Sequence, residues 1–328
     1  MKPSSISLVL LLALALLGSV TALAVPPGDG ALVQLRAAAR VRDPQHQQYL
    51  GAARAGERLV AVGERGAIAL SDDGGRSFRQ AASVPVQATL TAVQFVDAKT
   101  GFAVGHWGVI LGTQDAGETW TLQHSDTAHD RPLFSVYFQD PLHGWAVGLW
   151  GLMLGTQDAG KTWQTLTPTQ AAPGAADRNL YAIFGDGAGA LFVTSEQGVV
   201  LRSSGAGQHW DSVRTGYSGS LWSGLVLRGG VLLVAGLRGS VYRSTDSGLT
   251  WKAAQVATHS SITSMLQLSD GSVVASALDG VELRSTDLGQ SFESNQRADR
   301  STLNSVLQTG SGQLLWLGNR EFTLKPIP

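Results

Sequence analysis

The sequence predicts an all-β fold, a seven-bladed β-propeller of four-stranded antiparallel blades, and three observations predict it. An eight-residue box recurs six times: SDDGGRSF at 71–78, TQDAGETW at 113–120, TQDAGKTW at 156–163, SSGAGQHW at 203–210, STDSGLTW at 244–251 and STDLGQSF at 285–292. The third residues, Asp73, Asp115, Asp158, Gly205, Asp246 and Asp287, are spaced by 42, 43, 47, 41 and 41 residues. A repeat of that length is a unit that cannot bury its own apolar face and stacks on its neighbours, as in propellers and solenoids. Upstream of the box lies a V-G-x-x-G-x-I-L segment, clearest at 104–111 and 147–154 and varied at 62–70 and 235–242. Two short apolar runs around a glycine-flanked dipeptide read as a tight β-hairpin. Earlier still comes an alternating run, at 90–96, 133–138, 180–184, 221–226, 262–268 and 303–308. Period-two alternation marks a half-buried strand. Run, hairpin and the segment after the box supply four strands, A to D, which make one blade.

Taken in order, residues 1–24 read as a secretory leader. Lys2 precedes an apolar core at 8–17, and the small residues Ala22 and Ala24 place a cut after Ala24, with the mature chain periplasmic or secreted. Residues 25–48 form an N-terminal segment and 49–328 the ring. The first blade opens with a strand at about 49–54, ahead of one at 59–63. The longest insertion, 166–178, reads as an extended loop between the third and fourth blades. The last blade has strands at 303–308, 314–318 and 321–325, then ends without a box or strand D. An open edge invites aggregation, so the segment 31–39 is expected to close the ring as the outer strand of that blade.

Within the box, Asp73, Asp115, Asp158, Asp246 and Asp287 are structural: the carboxylate accepts from turn N–H groups and the glycine supplies φ > 0. The closing Trp or Phe starts strand D and buries its ring between blades. Gly205 and His209 break the pattern of the fourth box, whose turn is expected to be the loosest.

Lys and Arg number 24 against 25 Asp and Glu, so the charge gives no support to a nucleic-acid partner. There is no cysteine, hence no disulfide. No nucleotide-binding, nucleophile-elbow or calcium motif occurs, so no cofactor is expected. His106, His124 and His129 cluster near one blade without a ligand spacing of known type, and no metal is assigned to them.

Function is expected on the face opposite the boxes, where the B–C turns lie. The second residue of each turn dipeptide is Arg65, Trp107, Trp150, Gln197, Arg238, Asp279 and Arg320. One arc of that ring is mainly guanidinium and the other aromatic. Arginine forks suit carboxylates, and exposed tryptophans anchor interfaces. The D–A loops add Arg131, Arg178, Arg214, Arg297 and Arg300, offset by Asp126, Asp130, Asp177 and Asp299.

The boxes are of the BNR/Asp-box class. The form V-G-x-R-G-x-I at 62–68, followed by S-x-D-G-G-x-S-F, resembles the photosystem II stability/assembly factor family over about residues 49–325. The resemblance implies an exported seven-bladed propeller without enzymatic activity that binds membrane-protein subunits or assembly intermediates, with an arginine patch on one face. Arg65, Arg238 and Arg320 match that patch; Trp107, Trp150, Gln197 and Asp279 occupy equivalent turns without arginine. The expected function is therefore a monomeric binding scaffold that recognises a membrane-protein segment. The alternative is a glycoside hydrolase on a box propeller, with Glu64, Glu196 and Asp279 as candidate carboxylates, since glycosidases pair two carboxyl groups across a sugar.

Overall fold

Among the described residues seven sheets succeed one another along the chain, five of them with four consecutive antiparallel strands in the order A-B-C-D; the sixth adds Gln255–Val256 as a parallel outer strand beside its strand D, and the last has strands A to C. The computed structural model describes residues 35–167 and 177–327, all within one compact unit. The leader at 1–24, and the middle of the loop expected after the third blade, lie outside the described residues. Strand A is Tyr49–Ala55, Leu90–Phe95, Leu133–Phe138, Leu180–Gly185, Leu221–Val226, Ile262–Gln267 and Leu303–Gln308 in blades one to seven. Each A strand touches those of both neighbours, so together they form the inner ring of a β-propeller.

The core lies between blades rather than within them. Val60 and Leu70 of the first blade pack with Leu90, Leu111 and Trp120 of the second, and Trp145 and Met153 of the third with Ile183, Leu191 and Trp210 of the fourth. Strand B, for example Gly101–Gly105 and Gly144–Gly148, is buried at every residue. Buried on both faces, it loses the alternation that strand A keeps.

The first glycine of V-G-x-x-G answers to a crossing. A Cβ on Gly105 would stand 2.0 Å from the Thr89 carbonyl oxygen and 2.9 Å from Leu90 Cα, because strand A enters directly over the end of strand B. At the same place every A strand is bulged at its second residue. Leu50, Thr91, Phe134, Tyr181, Trp222, Thr263 and Asn304 each fall between paired positions. A bulge re-aims the extra side chain. Thr91 and Thr263 use this to donate to the Leu133 and Leu303 carbonyls of the next blade, at 2.6 and 2.7 Å, and Asn304 donates to Tyr49 across the ring closure at 2.8 Å.

The boxes fold as turns clamped by their Asp. In the first, Asp73 Oδ1 accepts from Ser71 Oγ and from the N–H groups of Arg76 and Ser77, and Oδ2 accepts from Ser77 Oγ at 2.6 Å. Asp115, Asp158, Asp246 and Asp287 repeat the clamp through Thr119, Thr162, Thr250 and Ser291. In the fourth box Gly205 has no side chain to accept, so Ser203 Oγ receives the N–H groups of Gly205 and Gly207 and the Gly205 carbonyl takes the Gln208 N–H. The aromatic precedes strand D by one residue in five boxes; only Phe292 lies within it. Each box leans on the preceding blade, as Gly117 on Val60 and Leu70 and Gly75 on Leu315 of the last blade.

The ring-closing strand expected at 31–39 requires correction. Among the described residues the last sheet has three strands, Leu303–Gln308, Leu314–Gly318 and Glu321–Lys325. Residues 31–34 lie outside the described residues, and 35–39 are not a strand. They are held on the first blade instead: Ala38 N–H donates to Val84 C=O, Arg40 to the Ala81 and Ala82 carbonyls, and Gln80 binds both Ala39 C=O and Val41 N–H. Closure comes from packing. Phe322 of the last blade stacks on Tyr49 and Phe78 of the first, with centroids 4.9 and 3.9 Å apart, over Leu59, Ala61, Leu315 and Leu317.

Candidate protein-binding face

The antiparallel order puts the B–C turns and D–A loops on one side of the disc and the A–B turns and boxes on the other. All seven residues singled out in the B–C turns have positive φ: Arg65, Trp107, Trp150, Gln197, Arg238, Asp279 and Arg320. In the first blade Arg65 (φ 55, ψ 31) is followed by Gly66 (φ 71), and Ala67 N–H donates to Glu64 C=O at 2.9 Å. That is a type I′ turn, whose twist matches its strands and whose first central position favours Asn, Asp or Gly. Five further turns repeat it; Arg320 alone has no glycine after it. Of the seven, Asp279 is the one with a residue type suited to left-handed backbone, and each of the others costs about 1 kcal/mol.

Side chains from the D–A loops hold three of these turns. Trp107 N–H donates to Asp130 Oδ1 at 2.9 Å, Trp150 N–H to Asn179 Oδ1 at 3.0 Å and Arg238 N–H to Ser261 Oγ at 3.2 Å. Six of the seven turn side chains are exposed, Trp150 at 61%, while Trp107 is half-buried against the core between the first two blades. The guanidinium groups of Arg65, Arg238 and Arg320 meet no acceptor among the described residues. Arg58, Arg79 and Arg202, by contrast, are ion-paired to Asp72, Glu118 and Asp211. Arg65 and Arg320 share a cleft of about 200 Å³ with Glu64 and His46. A second, of about 300 Å³, lies between Arg65 and the N-terminal residues Ala39 and Val41.

The loop arginines divide. Arg131 is taken by Asp126 at 3.1 Å, Arg297 by Asp299 and Glu321, and Arg178 reaches Gln197; Arg214 and Arg300 side chains have no acceptor among the described residues. His106 contacts Asp130 and His129 contacts Asp126, while His124 Nδ1 lies 2.7 Å from Gly108 C=O. Among the described residues no group of three or more His, Cys, Asp or Glu could hold a metal. Glu64, Glu196 and Asp279 sit on the first, fourth and sixth blades, no two of them neighbours. Glu196 accepts from Asn179 and Tyr181, and Asp279 from Ser260.

Two features escape a sequence reading. The bulge residues of strand A read there as ordinary strand positions, although each follows a buried Leu, Ile or Tyr at the end of strand A that lies beside the B–C turns. A cleft of about 540 Å³ opens on the box side between the third and fourth boxes, beside Trp145 and Trp210. Asp158 in that cleft is already occupied by Thr156 and Thr162.

Residues 79–231, just under half of the chain, match the family described as photosynthesis system II assembly factor YCF48. No curated protein sequence matches the chain. Among solved structures, YCF48 bound to D1 peptide superposes with a TM-score of 0.68 at 18% identity, over 90% of this chain and 100% of that one. YCF48 from Cyanidioschyzon merolae gives 0.67 at 17%, over 88% and 98%. A streptogramin B lyase gives 0.68 at 12%, over 87% and 96%, so the fold is shared with enzymes. Over residues 79–231 the chain is thus similar to that family, and the solved structures show that it shares their propeller fold.

Proposed function

We propose that this chain is an exported, non-catalytic, monomeric scaffold whose B–C turn face takes an acidic segment of a membrane protein or assembling envelope complex. The observation that carries the reading is the set of three exposed guanidinium groups, Arg65, Arg238 and Arg320, which meet no acceptor among the described residues and stand in turns whose backbone disfavours arginine. Strain at a surface turn persists where the side chain is needed. The likeness to YCF48, one structure of which holds a D1 peptide, supports the same class of ligand. The leader pattern at 1–24 supports export. Capture from solubilised envelope membranes tests the binding. The wild-type ring retains a partner whose yield falls as salt rises from about 0.05 to 0.5 M, and the combined Arg65→Ala, Arg238→Ala, Arg320→Ala variant loses it. Equal capture by that variant overturns the assignment. Fractionation of cells making the full chain tests export: a cytosolic, unprocessed product contradicts it.

A further inference from the structure

Apart from Leu50 in the first blade, the bulge residues on the inner ring are of two kinds, and their order is not mixed. In blades two, six and seven they are Thr91, Thr263 and Asn304, and each ties its blade to the next through the hydrogen bonds described above. In blades three, four and five they are Phe134, Tyr181 and Trp222, three aromatics in succession, and among the described residues none of them makes that tie to the next blade's first carbonyl. All three are half-buried. Phe134 stacks on Tyr181 with centroids 5.8 Å apart and planes 18° from parallel. The Tyr181 hydroxyl donates to Glu196, which Asn179 also holds. The tie between the third and fourth blades has moved one residue along, to Ser135, which exchanges hydrogen bonds with Ile183. The fold thus keeps that boundary closed without position 134 and leaves it to an aromatic ring.

Resting on the proposed acidic ligand, we infer that Phe134, Tyr181 and Trp222 form an aromatic shelf at the mouth of the inner ring that takes an apolar side chain of the same segment. The shelf lies on blades three to five, and the unpaired guanidinium groups on blades five, seven and one. A segment with an acidic group and an apolar side chain set apart along it meets both. The charge of the arginine arc selects an acidic protein segment as the occupant, and the aromatic arc selects among acidic segments.

The test uses fluorescein-labelled synthetic peptides carrying an Asp-Asp pair and one Phe, separated by three, six or nine Gly/Ser residues, each with a Phe→Ser twin, titrated against the full chain. At one spacing the Phe peptide binds wild type about tenfold or more tighter than its twin. Phe134→Thr, Tyr181→Thr and Trp222→Thr install the residue that blades two and six use at this bulge, so the ring keeps its fold. The triple Thr variant binds both peptides alike, at the affinity wild type shows for the twin. The triple arginine variant weakens both peptides while keeping the preference for Phe. Equal binding of Phe and Ser peptides by wild type at every spacing, no binding of either, or an undiminished preference in the Thr variant overturns the shelf. Loss of the preference in the Thr variant with no effect of the arginine changes overturns the arginine reading and leaves the shelf standing.

Discussion

A tryptophan held at φ 52 and ψ 47 is a poor turn former, and Trp150 is also 61% exposed. Asparagine suits the first central position of a type I′ turn, so Trp150→Asn is expected to raise stability by about 1 kcal/mol, read from denaturant midpoints, while weakening partner capture. A parallel loss of stability would show that the indole serves the fold. Trp107→Asn is expected to gain less, because that ring packs on the core. The box aspartates carry the acid limit of the fold. Hydrogen bonds from Ser77, Thr162 and Thr250 hold Asp73, Asp158 and Asp246 down at about 2, against an ordinary 3.8. At Asp287 burial opposes, and the bonds from Ser291 and Ser285 still bring it to about 2. Depressed folded-state values mean stability that is full above about pH 4 and drains as pH falls toward 2. An acid titration by near-ultraviolet dichroism is expected to show its loss in that window, shifted upward by Asp158→Asn. At this scale the ring of seven turn residues was legible, because the flanking glycines announce a turn whatever stands between them. That three arginines lack acceptors was not, since pairing depends on loops whose paths the repeat does not encode.

At the scale of strands, the crossing of A over B explains why glycine ends strand B. Gly105→Ala would put a Cβ 2.0 Å from the Thr89 oxygen, and is expected to cost more than about 2 kcal/mol in chemical denaturation. Ser195 and Ala277 hold the equivalent place in the fourth and sixth blades, so a near-neutral result at Gly105 would show that the crossing yields there too. Strands A, B and C were readable from alternation, from apolar runs and from turn glycines. The bulges were not, because a skipped residue leaves the order of apolar positions almost unchanged. Residues 31–39 read as the closing strand because the last blade lacks strand D and no other blade claims them. Arg40 and Gln80, which tie the segment to the first blade, supply no local pattern that would reveal it.

For the whole ring, six of the seven boundaries between blades are crossed by the chain, whereas among the described residues that between the last blade and the first is held by non-covalent contacts, the aromatic packing and the Asn304–Tyr49 hydrogen bond. Among the described residues no strand of the N-terminal segment or of the first blade enters the last sheet. Between the sixth and seventh blades Ile327 packs on a cluster of Leu268, Val274, Leu303 and Trp316, and the Arg297–Glu321 and Lys325–Glu282 pairs span the same boundary. Opening at the closure frees chain at both ends, whereas opening elsewhere strands a blade between two intact neighbours. The closure is thus the boundary where separation returns most conformational entropy for the packing it breaks. Phe322→Ala removes the ring sandwiched between Tyr49 and Phe78, and is expected to cost about 2–4 kcal/mol of stability. Native-state hydrogen exchange locates the effect. Amides of Glu321–Lys325 and Tyr49–Ala55 are expected to exchange faster than those of Leu133–Phe138 and Leu180–Gly185 in wild type, and the gap to widen in the variant. Uniform protection around the ring in both proteins would mean that it opens as one cooperative unit, with no weak seam at the closure.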